Sequence, residues 1–550
     1  MSSLHIKLVL PFLFIFSAIS AQKMKKEDRV TLTNLKNHIS YLADDKLEGR
    51  RAGTPGEKLA MEYISSQFKA VGLLPKGTTG YYQAFEINDG RQIGEKTAFT
   101  INDSELKPGT DFFPLMLSAE KKVEASPAIA LQEPDMPWFI DLKEILEENK
   151  ANPHFDIVDY IRTNSKKAID KGATAIILFN KSDLDDKLSF NPKERADQLS
   201  VPVIYVSKEA TKKYLGDETA TLNIKLNVDI TDKKRTGHNV IGYIDNNAGN
   251  TVVLGAHFDH LGFGEDGNSM LRTGEKLIHN GADDNASGTA ALIELARILK
   301  NGKAKKSNYL FIAFSGEELG LFGSKYFTEN PTIDLKSVNY MINMDMVGRL
   351  NDSTKTVAIG GYGTSPQWAT VVNPGEKKLP FSIKIDSSGT GPSDHTSFYR
   401  KDIPVLFFFT GQHKDYHRPS DDADRINYEG ELSIINYINS IITSLGRQGQ
   451  RLAFVKTREQ QVSMTPFKVT MGIMPDYTFS GVGVRADAVT EGRPASKAGL
   501  KAGDVIVQLG ENAVSSVETY MQALNKFNKG DKTIVKYKRG AEVIESEVQF

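Results

Sequence analysis

FIAFSGEELG, residues 311–320, is the stretch on which the fold turns. Phe311, Ile312 and Phe314 form an apolar run without polar alternation, the pattern of a strand buried on both faces. The run ends abruptly in two neighbouring carboxylates, Glu317 and Glu318. Like charges side by side in a half-buried place raise each other's pKa and destabilise a fold. A strand that ends this way needs a cation to make the pair tolerable.

The same texture repeats on either side. NVIGYI, TVVLGAHFD, NYMINMDMVG, TVAIGG and IPVLFFFT all read as strands from about residue 238 onward. Between TVVLGAHFD and YLFIAFSGEE lies NASGTAALIELARILKNG, apolar on most faces and followed by Gly302, which reads as a buried helix with a glycine stop. Apolar strands separated by helices predict an α/β fold, with a mixed, mostly parallel central sheet covered by helices.

Around this core the chain divides further. Residues 25–75 carry apolar side chains at three- and four-residue spacing, predicting two helices joined by the Gly/Pro turn EGRRAGTPGE. In residues 105–235, KKAIDKGATAIILFN and VPVIYVSKEATKKYL predict a small α/β module inserted between residues 22–104 and 236–455 of the main domain. A polar linker then leads to a β-rich unit over 465–550. The first residues, one Lys, an apolar stretch from Leu8 to Phe16 and small residues to Ala21, read as a signal peptide over 1–21. Its apolar stretch is too short to span a bilayer comfortably, so the expectation is an exported protein, secreted or periplasmic, with no membrane span after cleavage. The chain of 550 residues has a formal net charge of −1, which gives a nucleic-acid partner no electrostatic footprint. It has no cysteine, which excludes disulfides and thiolate metal ligands.

In open α/β sheets, sites form at the carboxyl ends of the strands. His257 and Asp259 end one strand, Glu317 and Glu318 another, and Asp345 a third; Asp283 and Asp284 precede the buried helix, and His417 follows IPVLFFFT by a few residues. Each alone has a bland reading, such as a structural histidine or a helix cap. Together they would bury several acidic groups, which is costly without cations. Imidazole and carboxylate without thiolate suit zinc or a similar first-row ion. Two zinc ions would be balanced by three carboxylates and a hydroxide with two neutral imidazoles. One carboxylate of the Glu317/Glu318 pair is then free as a general base.

These residues resemble the co-catalytic di-zinc aminopeptidases of clan MH, which include bacterial leucine aminopeptidases. HFD, NGADDNASG, SGEELGLFGS, NMDMVG, SDHTSF and YHRPSD occur in that family's order. The resemblance implies that His257 and Asp345 ligate one metal, Glu318 and His417 the other, and that Asp284 bridges them. It also implies a cis peptide after Asp284, Glu317 as general base, and Asp259 as the partner that orients His257. The activity implied is removal of N-terminal residues from peptides by zinc-activated water, with Glu317 passing the proton to the leaving amine. Related scaffolds leave three alternatives: a carboxypeptidase of the glutamate carboxypeptidase type, a glutaminyl cyclase, and a binding homologue without metals. His395 and Tyr416 are expected near the site, whereas His238, His260, His279 and His413 match no ligand position. GFGEDG, residues 262–267, has dinucleotide-binding spacing, but a polar loop rather than an apolar helix follows.

The insert resembles a protease-associated domain, and residues 465–550 resemble a PDZ domain through GVGVRADAVTEGRPASKAGLKAGDVIVQLGENAV. That likeness implies a peptide C-terminus as a second partner, with SGVGV at 480–484 as its carboxylate loop.

Overall fold

The computed structural model describes residues 24–550 except 151, 153, 154, 193, 195, 218, 272, 274, 374–378, 458–468, 476–478, 480 and 491. The expected signal peptide lies outside them. No helix among the described residues is long and apolar enough to cross a membrane.

The two N-terminal helices are α1, Lys26–Leu42, and α2, Pro55–Val71. Thr54 caps α2 by accepting the Glu57 N–H, and Gly72 ends it in the left-handed region at φ 82. A long antiparallel ribbon of β1, Tyr82–Ile93, and β2, Ile230–Ile244, then carries the inserted module at its far end. The central elements follow as β3 (Thr251–His257), α3 (Gly288–Asn301), β4 (Asn308–Phe314), β5 (Val338–Met344), β6 (Thr356–Gly360), β7 (Ser382–Ile385), β8 (Val405–Phe409) and α4 (Tyr428–Gln448).

The sheet runs β2-β4-β3-β5-β8-β6-β7, with β4, β3, β5 and β8 mutually parallel. β2 and β6 join antiparallel at either side, so the sheet is mixed with a parallel centre. Every residue of β3, β4 and β5 is buried, which accounts for their unbroken apolar runs. Leu254, Phe311 and Ile342 pack under α1, α3 and α4 on one face, while Val253, Leu310, Ile312 and Met341 fill the other. Each large side chain buried this way contributes about 1.5–3 kcal/mol.

Register sets the site. His257 stands opposite Phe314 on β4, and Gly255 opposite Asn343 on β5. The residues just past those strand ends, Glu317, Glu318 and Asp345, therefore emerge beside His257.

The inserted module has two four-stranded sheets. One takes in the strand Ala98–Ile101, ahead of residue 105, which pairs with Ser104–Leu106 and Ile224–Asn227. The other holds the parallel strands Ile176–Phe179 and Val203–Val206, each beside a helix as the sequence suggests. In the C-terminal unit the strand Val484–Val489 is hydrogen-bonded on both sides, to Ile473–Pro475 and to Val505–Leu509. Among the described residues Ile473–Pro475 is the edge strand of that sheet, and Ser480, the first residue of SGVGV, lies outside the described residues.

Candidate metal centre

The His257 Nδ1 atom lies 3.2 Å from the main-chain oxygen of Asp259. A carbonyl only accepts, so Nδ1 carries a proton, and in the neutral imidazole that can ligate a metal Nε2 keeps a lone pair. That bare nitrogen faces Asp284 Oδ1 and Asp345 Oδ1, each at 3.4 Å. On the far side of Asp284 the arrangement repeats. His417 Nδ1 faces the main-chain oxygen of Asn268 at 2.9 Å, leaving Nε2 bare toward Asp284 Oδ2 at 3.3 Å and Glu318 Oε2 at 3.2 Å. The two oxygens of Asp284 thus look in opposite directions at two imidazoles.

A lone pair aimed at two anions is repulsive unless a cation lies between them. The contacts are longer than the about 2.7–2.9 Å common for N⁺–H to carboxylate hydrogen bonds. Metal–nitrogen and metal–oxygen bonds of about 2.0–2.2 Å at tetrahedral angles put ligand atoms about 3.3–3.5 Å apart, close to the observed spacing. His257, Asp284 and Asp345 form one cluster able to hold a metal ion, and His260, Asp284 and Glu318 form a second. All of these side chains are buried or nearly so.

The adjacent glutamates have opposite surroundings. Burial pushes the Glu317 carboxyl well above the usual range, with Asp345 and Glu318 adding to it and His257 opposing. Burial acts on Glu318 in the same direction, but His417 and His260 outweigh it and hold that carboxyl well below its ordinary value. Neighbouring carboxylates driven apart in pKa are the usual mark of divided roles. Glu317 Oε2 is 4.0 Å from His257 Nε2, outside the spacing of the other carboxylates.

Asp259 needs correcting. Its carboxylate is 3.8 Å from His257 Nδ1, too far for a hydrogen bond, and it is the main-chain oxygen of Asp259 that orients the ring. The carboxylate instead accepts the main-chain N–H of Glu317 at 3.1 Å and of Glu318 at 3.4 Å, fixing the turn that presents both glutamates.

The loop carrying Asp284 is held from several sides. Asp421 Oδ2 accepts the main-chain N–H groups of Asp283 and Asp284 at 3.0 and 3.1 Å. Asp283 Oδ1 accepts from Gly348 N and Ser287 Oγ, tying the loop to the end of β5. The Asp284–Asn285 peptide is cis, as the resemblance implies. Gly281 sits at φ 56, and a Cβ there would meet the Asp284 oxygen at 2.1 Å and the His260 ring at 2.5 Å.

Two contributors escape the sequence reading. Arg50, from the turn EGRRAGTPGE, is fully buried, and its guanidinium donates to the main-chain oxygens of Leu42, Phe258, Asn280 and Gly281. Burial pulls its pKa down to about 10, with Asp284, Asp259, Asp421 and Glu318 opposing, so it stays charged at neutral pH beside the carboxylates. The only signal was a polar residue between glycines in a stretch otherwise read as a turn. His260, matched to no ligand position, contacts Glu318 Oε1 through Nδ1 at 2.8 Å. Three other histidines lie away from the two clusters. His279 bonds Ser269 Oγ and the Leu277 oxygen, and His413 lies 3.2 Å from Asp283. His395 stacks on Phe407 with ring centres 4.4 Å apart, and burial pushes its pKa down to about 3. Tyr416 stacks on His417 at 3.8 Å.

The carboxyl edge of this mostly parallel sheet thus gathers imidazoles and carboxylates in clusters able to hold metal ions. Residues 239–441 match Peptidase family M28 and residues 459–550 match the PDZ domain, so the chain carries an M28 peptidase domain followed by a PDZ domain. Among curated proteins it is 27% identical to "Aminopeptidase YwaD" of Bacillus subtilis over 277 residues, 48% of this chain and 55% of that protein. It is 32% identical to leupeptin-inactivating enzyme 1 of Streptomyces exfoliatus over 168 residues, 30% of this chain and 37% of that one. The chain thus spans about half or less of these two relatives' length. A probable lipoprotein aminopeptidase of Mycobacterium tuberculosis is 22% identical over 466 residues, 78% of this chain and 84% of that protein. Among solved structures, a zinc aminopeptidase from Bacillus subtilis is 21% identical with a TM-score of 0.42, covering 75% of this chain and 95% of that one.

Proposed function

We propose that this chain is an exported, zinc-dependent exopeptidase that removes N-terminal residues from peptides. The observation that carries the reading is Asp284, whose two oxygens each face a bare imidazole nitrogen, of His257 and of His417. His257, Asp284 and Asp345 would hold one ion, and Asp284, Glu318 and His417 a second. When bound, such ions supply Lewis acidity toward an amide carbonyl and toward water.

The chain's own groups do the rest. Glu317 stands at the ligands' edge without ligand spacing, so its carboxylate suits a base that takes a proton from water and returns it to the leaving amine. Asp259 fixes Glu317 through its main-chain N–H, so the carboxylate keeps its position through the transfer. Tyr416, stacked on His417, supports a wall over the centre. The inserted module, on its ribbon, would restrict access to peptides with short or flexible ends. A second peptide partner would bind through its C-terminus at the unit that matches the PDZ domain.

The test is hydrolysis of matched peptides, one with a free N-terminus and one N-acetylated, each with and without a strong chelator. Chelator-sensitive release of the first residue from the free peptide alone is the expected result. Cleavage from the C-terminus, or cyclisation of an N-terminal glutamine without hydrolysis, would replace the aminopeptidase reading.

A further inference from the structure

His260 is buried, with 1% of its surface exposed. Its Nδ1 lies 2.8 Å from Glu318 Oε1, and its Nε2 is buried with no hydrogen-bond partner. The ring stands edge-on to His417 with centres 5.8 Å apart and is packed against Gly281, where no Cβ would fit. Its main-chain N–H donates to the Arg50 oxygen at 3.2 Å. The ring is thus fixed from three sides, and its single polar contact is to one oxygen of Glu318.

That contact differs in kind from the others at the centre. The imidazole–carboxylate pairs about Asp284 are 3.2–3.4 Å apart, the spacing of two ligands on one ion. The His260 contact of 2.8 Å is the length of a hydrogen bond to a carboxylate. His260, Asp284 and Glu318 also lie close enough together to be read as a metal-holding trio, but the shorter distance argues for donation by His260 rather than ligation.

We propose that His260 is a positioning residue that donates its Nδ1–H to Glu318 Oε1 and so leaves Oε2 as the single oxygen presented toward His417. This rests on the two-metal reading above. A carboxylate with one oxygen engaged cannot swing to chelate an ion through both, and its free oxygen stays at the spacing the second ion requires. Partners of this kind to a ligating group typically carry 10–100-fold in metal affinity.

The test uses full-length protein loaded with Co²⁺, with His260→Asn and His260→Leu compared to wild type. An Asn amide nitrogen can stand where Nδ1 stands, while Leu keeps apolar volume and loses the donor. Cobalt affinity by chelator competition, the visible absorption of the second ion and the thermal midpoint are read for each. His260→Leu is expected to bind the second Co²⁺ about 10–100-fold more weakly with band positions unchanged, and His260→Asn to stay within about threefold of wild type. Wild-type affinity in His260→Leu would overturn the proposal. So would equal weakening in a folded His260→Asn, or a shifted absorption band in His260→Leu, which would place the imidazole on the metal. Absence of cobalt binding by wild type would instead overturn the two-metal reading.

Discussion

Glu317→Gln separates the two glutamates of SGEE most sharply. The substitution keeps volume and leaves the bond between the Glu317 N–H and Asp259 untouched, so the turn should hold. It removes a carboxylate that lies beyond ligand spacing, 4.0 Å from His257 Nε2 against 3.2–3.4 Å for Asp284, Asp345 and Glu318 from their imidazoles. A positioned general base is worth about 10²–10⁴ in rate, or about 2.7–5.5 kcal/mol of barrier at 1.36 kcal/mol per tenfold. The expected outcome is a kcat lower by about a thousandfold, KM within about threefold, and metal content equal to wild type. Glu318→Gln, by contrast, should lose metal, because an amide brings no charge to the place where Oε2 faces His417. Steady-state kinetics on a peptide with a free N-terminus, paired with elemental analysis of the same samples, reads both. A Glu317→Gln variant that keeps a tenth of wild-type kcat, or that sheds metal as Glu318→Gln does, would refute the division of roles.

Arg50→Met removes the guanidinium from four buried main-chain oxygens, of which that of Gly281 keeps the Ala286 N–H; at about 1–3 kcal/mol for each of the other three, urea unfolding should show a loss of at least about 3 kcal/mol, and a loss below about 1 kcal/mol would contradict that placement. Glu57, buried in the first turn of α2, is pushed by burial from 4.5 up to about 7, against hydrogen bonds from Ser315, Gly53 and His238. The folded carboxyl keeps its proton where the unfolded one has lost it, so this group's contribution to stability falls as pH rises from about 4.5 to about 7, by on the order of 3 kcal/mol. Urea titrations across that window should show a flatter pH slope in Glu57→Gln than in wild type, and equal slopes would contradict it.

Much of the centre was legible because its chemistry is local. His257, Glu317 and Asp345 each follow an apolar strand directly, and parallel strands in register bring such residues together whatever the loops do. Composition pointed to a cation near Asp283, Asp284 and His417, but the choice of Asp284 and His417 came with the family resemblance. What stayed hidden depends on contacts distant in sequence. Arg50 reaches the centre from more than two hundred residues away, and nothing in EGRRAGTPGE says that its guanidinium turns inward to four carbonyls. Spacing put the Asp259 carboxylate on the same side as His257, but the chain turns after the strand. The main-chain oxygen reaches the ring, and the carboxylate reaches the glutamate turn. His260 failed the ligand pattern for a physical reason: its contact is with a ligand residue.

The central claim is that two ions flank Asp284. Crystals of the full chain grown with Zn²⁺ and measured on either side of the zinc absorption edge test it directly. Two anomalous peaks are expected, one among His257, Asp284 and Asp345 and one among Asp284, Glu318 and His417. A single peak, or peaks that leave Asp284 on one ion only, would contradict the shared carboxylate and the account built on it.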